Sequence, residues 1–190
     1  MKKQIAFVLA LMLTFGLTAC GSNKDTEKTD ASDVSANSLE ILANIWNGIP
    51  EEKRFFAAGG SADNYVDNAP GNYALDDEGI TSVLLVPQEQ LENIDQAASL
   101  VHAMMLNNFT AAAFHVAEGK DADAFAEAMY QSVSQNQWMC GMPEHLTVAV
   151  VGGEYVLVYF GVNDVLEGFV SSFKAAYPDA DIKYDEAITG

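Results

Sequence analysis

At 190 residues and 49% apolar content, the chain is long enough for one compact domain and short for two. Its 27 acidic side chains against 9 basic ones give a formal charge of −18, which excludes the basic surface that a nucleic-acid binder needs to neutralise phosphates. A folded unit of about 150 residues buries roughly 68–70% of its unfolded surface, so no disulfide framework is required.

At the N-terminus, Lys2 and Lys3 precede "QIAFVLALMLTFGLTA". This apolar run is too short for a comfortable membrane span and is flanked as a secretory signal is. It ends in Leu17-Thr18-Ala19-Cys20, followed by Gly21 and Ser22. The pattern resembles a bacterial lipobox, in which the cysteine is lipidated and becomes the new N-terminus. The expected division is a lipoprotein signal peptide at 1–19, a disordered tether at 20–37 and a single α+β domain at 38–190. Two acyl chains on the Cys20 sulfur anchor firmly, whereas one myristoyl-length chain binds with K of only about 10⁴ M⁻¹. Residues 21–37 are Ser, Asn, Asp, Lys, Thr and Glu with almost nothing to bury, and as a flexible linker they span about 23 Å. Anionic lipid repels so acidic a body, which is expected to stand off the bilayer.

The folded part is expected near Ser38. Asn37 and Glu40 have capping-box spacing, Leu39, Leu42, Ile45 and Trp46 share a helical side, and Gly48 and Pro50 end it. A long Gly/Asn/Asp-rich stretch follows, with "RFFAAG" as a short strand and Phe55, Phe56, Tyr65 and Tyr73 expected to pin the rest. "ITSVLLV" has a buried-strand pattern. Pro87 then opens an expected helix with Leu91, Ile94, Ala98, Val101 and Met105 on one face. "FTAAAFHV" is expected as a strand and "DADAFAEAMYQSVSQ" as a helix with Phe125, Met129 and Val133 inward. "LTVAVV" and "EYVLVYF" form a hairpin about a two-residue Gly152-Gly153 turn. Asn163 caps a last helix bearing Leu166, Phe169, Phe173 and Tyr177, and "DIKYDE" makes an edge strand. From Phe109 the order is β-α-β-β-α-β, a split βαβ arrangement. The fold class is therefore α+β: a two-layer sandwich with a mostly antiparallel sheet and helices on one face.

Cys140 lies in "QWMCGMPEHL", beside Trp138, Gly141 and Pro143 as a redox thiol would be. A dithiol site needs a resolving cysteine, but Met142 occupies that place and Cys20 is consumed by lipid. Cys140 is expected as a buried apolar filler, with a Cys140/His145 nucleophilic pair as the alternative. His102, His115 and His145 lack zinc-motif spacing. Asp76-Asp77-Glu78 and Asp121/Asp123 lack the ligand alternation of a calcium loop, and Asp121 or Asp123 suits a helix cap. Met104, Met105, Met129, Met139 and Met142 could line a soft pocket, but filling core gaps is the commoner use of methionine and is the expectation here. No cofactor and no metal site are expected.

With the lipobox, "AASLVHAMMLNNFTAAAFH", "QWMCGMPEHL" and "GGEYVLVYFG" together, the chain resembles small lipoproteins of unknown function from Gram-positive anaerobes, over roughly residues 39–190. Some of these carry a bacteriocin transport accessory label. The resemblance implies an α+β lipoprotein domain on the outer face of the bacterial cell membrane, and no catalytic residues. The expected function is an anchored extracytoplasmic domain that binds a protein or small-molecule partner rather than catalysing a reaction; a thiol/His-dependent enzyme is the alternative. Replacing Cys20 by Ala is expected to leave the chain unprocessed or released, read by cell fractionation and intact mass. Unchanged mature mass and membrane retention would contradict lipidation.

Overall fold

The computed structural model describes residues 37–139 and 141–189. Cys20, the expected signal peptide and nearly all of the tether lie outside these residues, as does Cys140. The described residues belong to one compact unit, Val34–Gly190. Among them, no helix is long and apolar enough to cross a membrane.

The elements, in chain order, are α1 (Ser38–Gly48), β1 (Ala57–Gly59), β2 (Val66–Asp67), β3 (Gly71–Asn72), α2 (Gly79–Ser82), β4 (Ile94–His102), β5 (Phe109–Val116), α3 (Ala122–Ser134), β6 (His145–Val151), β7 (Tyr155–Gly161), α4 (Asn163–Ala176) and β8 (Asp181–Ala187). The strands form one antiparallel sheet in the order β2-β1-β4-β5-β7-β6-β8, and β3 pairs with β4 beside β1. The fold is α+β, with the antiparallel sheet foreseen.

The helices cover both faces of that sheet instead of one. Phe109, Ala111 and Ala113 of β5 pack with Ile41, Leu42 and Ile45 of α1 and Leu166, Phe169 and Phe173 of α4. The alternate residues Ala112, Phe114 and Val116 pack with Phe125, Met129 and Val133 of α3. The cause is topological. β5 and β6 run the same way with β7 between them, and β7 and β8 run the same way with β6 between them. The two crossovers step in one lateral direction from strands of opposite sense, so right-handed connections put α3 and α4 on opposite faces. β4 already occupies the outer edge of β5, which leaves β8 only the free edge of β6.

Two expected elements change type. Residues 88–93 form a 3₁₀ turn and Ile94–His102 is a strand, not an amphipathic helix. Its neighbours cover it on both sides: Leu100 and Ala98 face α1, while Ala97 and Ile94 face the other layer. A bulge at Asp95 shifts the phase, so the apolar spacing mimics three-and-four periodicity. "ITSVLLV" holds the one-turn helix α2 and a buried coil, not a strand. Ile80, Leu84 and Val86 are buried there, and the Asp77 Oδ1 accepts the Gly79 N–H at 2.7 Å. Both edges of β4 are already paired, so this segment has no place in the sheet.

Smaller differences follow local chemistry. Asn37 caps α1 as foreseen, its Oδ1 accepting the Glu40 N–H at 2.9 Å. Asn163 is the first helical residue of α4 and caps nothing; the Glu144 carboxylate accepts its N–H at 2.9 Å. The β6–β7 loop spans three residues, with Gly152 and Gly153 at φ +63° and +81°. Phe55 and Tyr73 pin the long 51–79 stretch, whereas Phe56 and Tyr65 are exposed. The β1–β3 approach needs glycine: a Cβ on Gly59 would lie 2.4 Å from the Gly71 nitrogen.

Phe169 is fully buried against Phe109 and Tyr159, with ring centroids 5.0 and 5.2 Å away. Phe169→Ala is expected to cost about 3–5 kcal/mol in urea unfolding. Met139→Ala, at an exposed position, is expected to change stability by less than about 0.5 kcal/mol.

Candidate functional site

The end of the sheet where β4 leaves and β5 begins carries most of the large exposed apolar side chains among the described residues; Tyr65 before β2 and Ile182 of β8 lie elsewhere. The β4–β5 loop contributes Met104, 74% exposed, with Met105 and Leu106. The α3–β6 connection contributes Met139, 91% exposed, and Met142. Phe56 joins them from the chain before β1, where its carbonyl accepts the Ala103 N–H at 2.9 Å. Met129, by contrast, is fully buried under α3.

Local bonds hold the two loops. The Asn107 Nδ2 donates to the Gly141 carbonyl at 2.8 Å, tying the β4–β5 loop to the α3–β6 connection. The His102 Nδ1 accepts the N–H groups of Met104 and Met105 at 3.2 and 3.3 Å, which places its proton on Nε2. The His102 ring stacks on Phe55, centroids 5.6 Å apart. The Thr110 hydroxyl donates to the Leu106 carbonyl at 3.0 Å.

Between the loops lies a cleft of about 260 Å³ lined by Leu106, Thr110, Trp138, Met139 and Phe160, among others. The Trp138 ring packs on Phe160 with centroids 5.4 Å apart. Its Nε1–H is buried and has no hydrogen-bond partner among the described residues. An orphaned buried donor costs roughly 1–3 kcal/mol, so an acceptor supplied from outside would be favoured.

The three histidines stand apart in separate settings. His115 contacts Asp95 through Nδ1, lies 3.9 Å from the Glu154 carboxylate through Nε2, and packs its ring on Tyr155. The β4 bulge is what aims Asp95 at it. His145 donates through Nε2 to the Asp185 Oδ1 at 2.6 Å, and the Thr147 hydroxyl donates to the same oxygen at 2.9 Å. Cys140, its proposed partner in the alternative, lies outside the described residues. The acidic clusters build structure. Asp77 accepts from the backbone of Gly79 and Ala62, Asp121 caps α3, and Lys183 bridges Asp123 and Asp181 at 2.9 and 2.6 Å. Among the described residues, no three His, Cys, Asp or Glu side chains group so as to hold a metal ion.

No protein-family model, curated protein or solved structure matches this chain.

The sequence marked Met104, Met105, Met139 and Met142 but leaned toward core filling, and it missed Phe56 and Leu106 as surface residues. One further signal was present. Residues 103–114 and 128–143 contain no Asp, Glu, Lys or Arg, in a chain with 27 acidic groups. Apolar residues in a charge-free loop of so acidic a protein mark a surface kept neutral.

Burial pushes the Asp185 carboxyl up, but the bonds from His145 and Thr147 outweigh it and hold it below the ordinary range. A depressed carboxylate contributes stability above its unfolded-state pKa, near 3.9, and loses it as pH falls through the folded value. The stability gap between the wild type and Asp185→Asn is therefore expected to be full at pH 7 and to narrow below about pH 4, followed by urea midpoints.

Proposed function

We propose that this chain is a lipid-anchored extracytoplasmic domain of the bacterial cell membrane that binds a partner rather than catalysing a reaction. Support for the anchor comes from the sequence: Lys2 and Lys3, the apolar run, the Leu17–Cys20 lipobox pattern and the polar tether. The resemblance to lipoproteins of Gram-positive anaerobes points the same way and adds no activity.

The observation that carries partner binding is the Met-rich end. Phe56, Met104, Met105, Leu106, Met139 and Met142 stand exposed there, beside a cleft whose indole donor has no partner among the described residues. Methionine adapts to varied apolar shapes, which suits a contact surface. A core-filling role fits Met129 alone.

A second reading, the thiol/His enzyme, is favoured by one observation. Asp185 holds His145 as an acid holds the imidazole of a nucleophilic triad, and no hydrogen bond to the His145 Nδ1 is made among the described residues. It requires Cys140 to be the nucleophile.

Two measurements test these readings. A membrane-impermeant amine reagent applied to intact cells is expected to label the body's lysines, placing it on the outer face; protection until lysis would contradict this. Thiol labelling of the native chain is expected to show the pH profile of an ordinary thiol, near 8.5. A labelling pKa depressed by two units or more, restored by His145→Ala, would favour the enzyme instead.

A further inference from the structure

We infer that the Met-rich end is a docking surface for a cationic amphipathic protein segment, whose apolar stripe lies on the methionines and whose basic residues face the acidic body. The inference rests on the partner-binding reading above and names the chemistry of the partner.

Three features choose this occupant. The first is the surface itself. Six large apolar side chains from three chain segments lie exposed at one end, and the Asn107–Gly141 bond joins the two loops that carry five of them. An amphipathic helix presents apolar residues at i, i+3, i+4 and i+7, and flexible thioethers adapt to such a stripe.

The second is charge. The loops are charge-free, but the body around them is not. Glu144 stands two residues after Met142, Asp164 lies in the first turn of the helix that Glu144 caps, and Asp67 pairs with Ala58 near Phe56. With a formal charge of −18 for the chain, long-range attraction draws in cations and opposes a second copy. Anionic lipid is opposed in the same way. Lys53 and Arg54 are the nearest basic residues in sequence to Phe56. Arg54 is committed to the carbonyls of Ile49 and Asn47 and sits 5.3 Å from the Trp46 ring.

The third is the cleft. Leu106 and Met139 flank it, Trp138 and Phe160 line it, and the buried indole N–H has no acceptor among the described residues. A side chain of the bound segment fills this space, and a polar oxygen beside it accepts a hydrogen bond from the Trp138 Nε1–H.

The test uses the full acylated chain in zwitterionic micelles, with empty micelles as background and methionine methyls labelled with carbon-13. The probe is a synthetic amphipathic Lys/Leu peptide of about 18 residues, long enough for five helical turns. Controls are its scrambled sequence and a Glu/Leu counterpart. The methyl signals of Met104, Met105, Met139 and Met142 are expected to shift on titration, with Met129 unmoved and neither control acting. The triple variant Met104→Gln, Met105→Gln, Met139→Gln is expected to keep its unfolding midpoint and to bind the peptide at least about tenfold more weakly. Raising salt from about 50 to 500 mM is expected to weaken binding severalfold.

Peptide binding that leaves the methionine methyls unmoved, or is equal for the triple variant, would overturn the inference as mere charge adsorption. Equal binding of the scrambled or acidic peptide would overturn it too. Methyl shifts that follow protein concentration without peptide would assign the surface to a second copy, and shifts on transfer to vesicles without peptide would assign it to lipid. Each of these would leave the anchored-domain reading intact, because outer-face labelling tests that separately.

Discussion

The central strands of this sheet are apolar on both faces, and that single constraint arranges the rest of the molecule. In β5, β6 and β7 nearly every residue is buried. One layer of helix would leave half of those side chains in water, at about 25 cal/mol for each Å² of apolar surface. The chain meets the constraint with α1 and α4 on one face, and with α3 and the 73–91 segment on the other. β4 closes one edge of β5, so the last crossover runs outward to β8, and the right-handed rule then separates α3 from α4.

Covering both faces leaves the ends of the sheet and the outer strand to meet solvent, and there the chemistry divides. β8 is mostly exposed and carries charge: Lys183 bulges out to bridge Asp123 and Asp181, while Tyr130 and Tyr184 stack and donate to Glu186 and Glu127. A bulged, charged edge resists pairing with other strands. The end between β4 and β5 is treated oppositely, with methionines, a phenylalanine and a leucine where a soluble acidic protein would place Asp or Lys. The molecule thus shields one surface with charge and leaves another apolar and exposed.

Local signals were legible wherever one residue's chemistry decided the outcome. Asn37 and the Asp121/Asp123 pair marked helix starts, with Asp121 the cap, Gly152-Gly153 marked a hairpin, and β5, α3, β6, β7, α4 and β8 stand close to their expected positions. The misjudged segments are those where apolar spacing alone had to choose. In β4, two covered faces and a bulge at Asp95 imitate a helical stripe, and Ile94 and Val101 are its only β-branched residues, too few beside Ala97 and Ala98 to signal a strand. In "ITSVLLV" a buried coil and a buried strand have the same composition, and only the occupied edges of β4 separate them. The distribution of helices was hidden for a related reason: which edge takes the last strand depends on β4, itself misassigned. The candidate site was half legible. Its methionines could be named, but their grouping at one end depends on two loops meeting through Asn107 and Gly141, a contact spanning 34 positions that no local pattern encodes.

The account stands on a doubly covered sheet with an uncovered methionine end, and methionine oxidation reads both at once. Brief exposure of the native chain to hydrogen peroxide, followed by peptide mass spectrometry, is expected to convert Met104, Met105, Met139 and Met142 to sulfoxides well before Met129. Oxidation of Met129 in step with the others, or protection of the four, would contradict the arrangement.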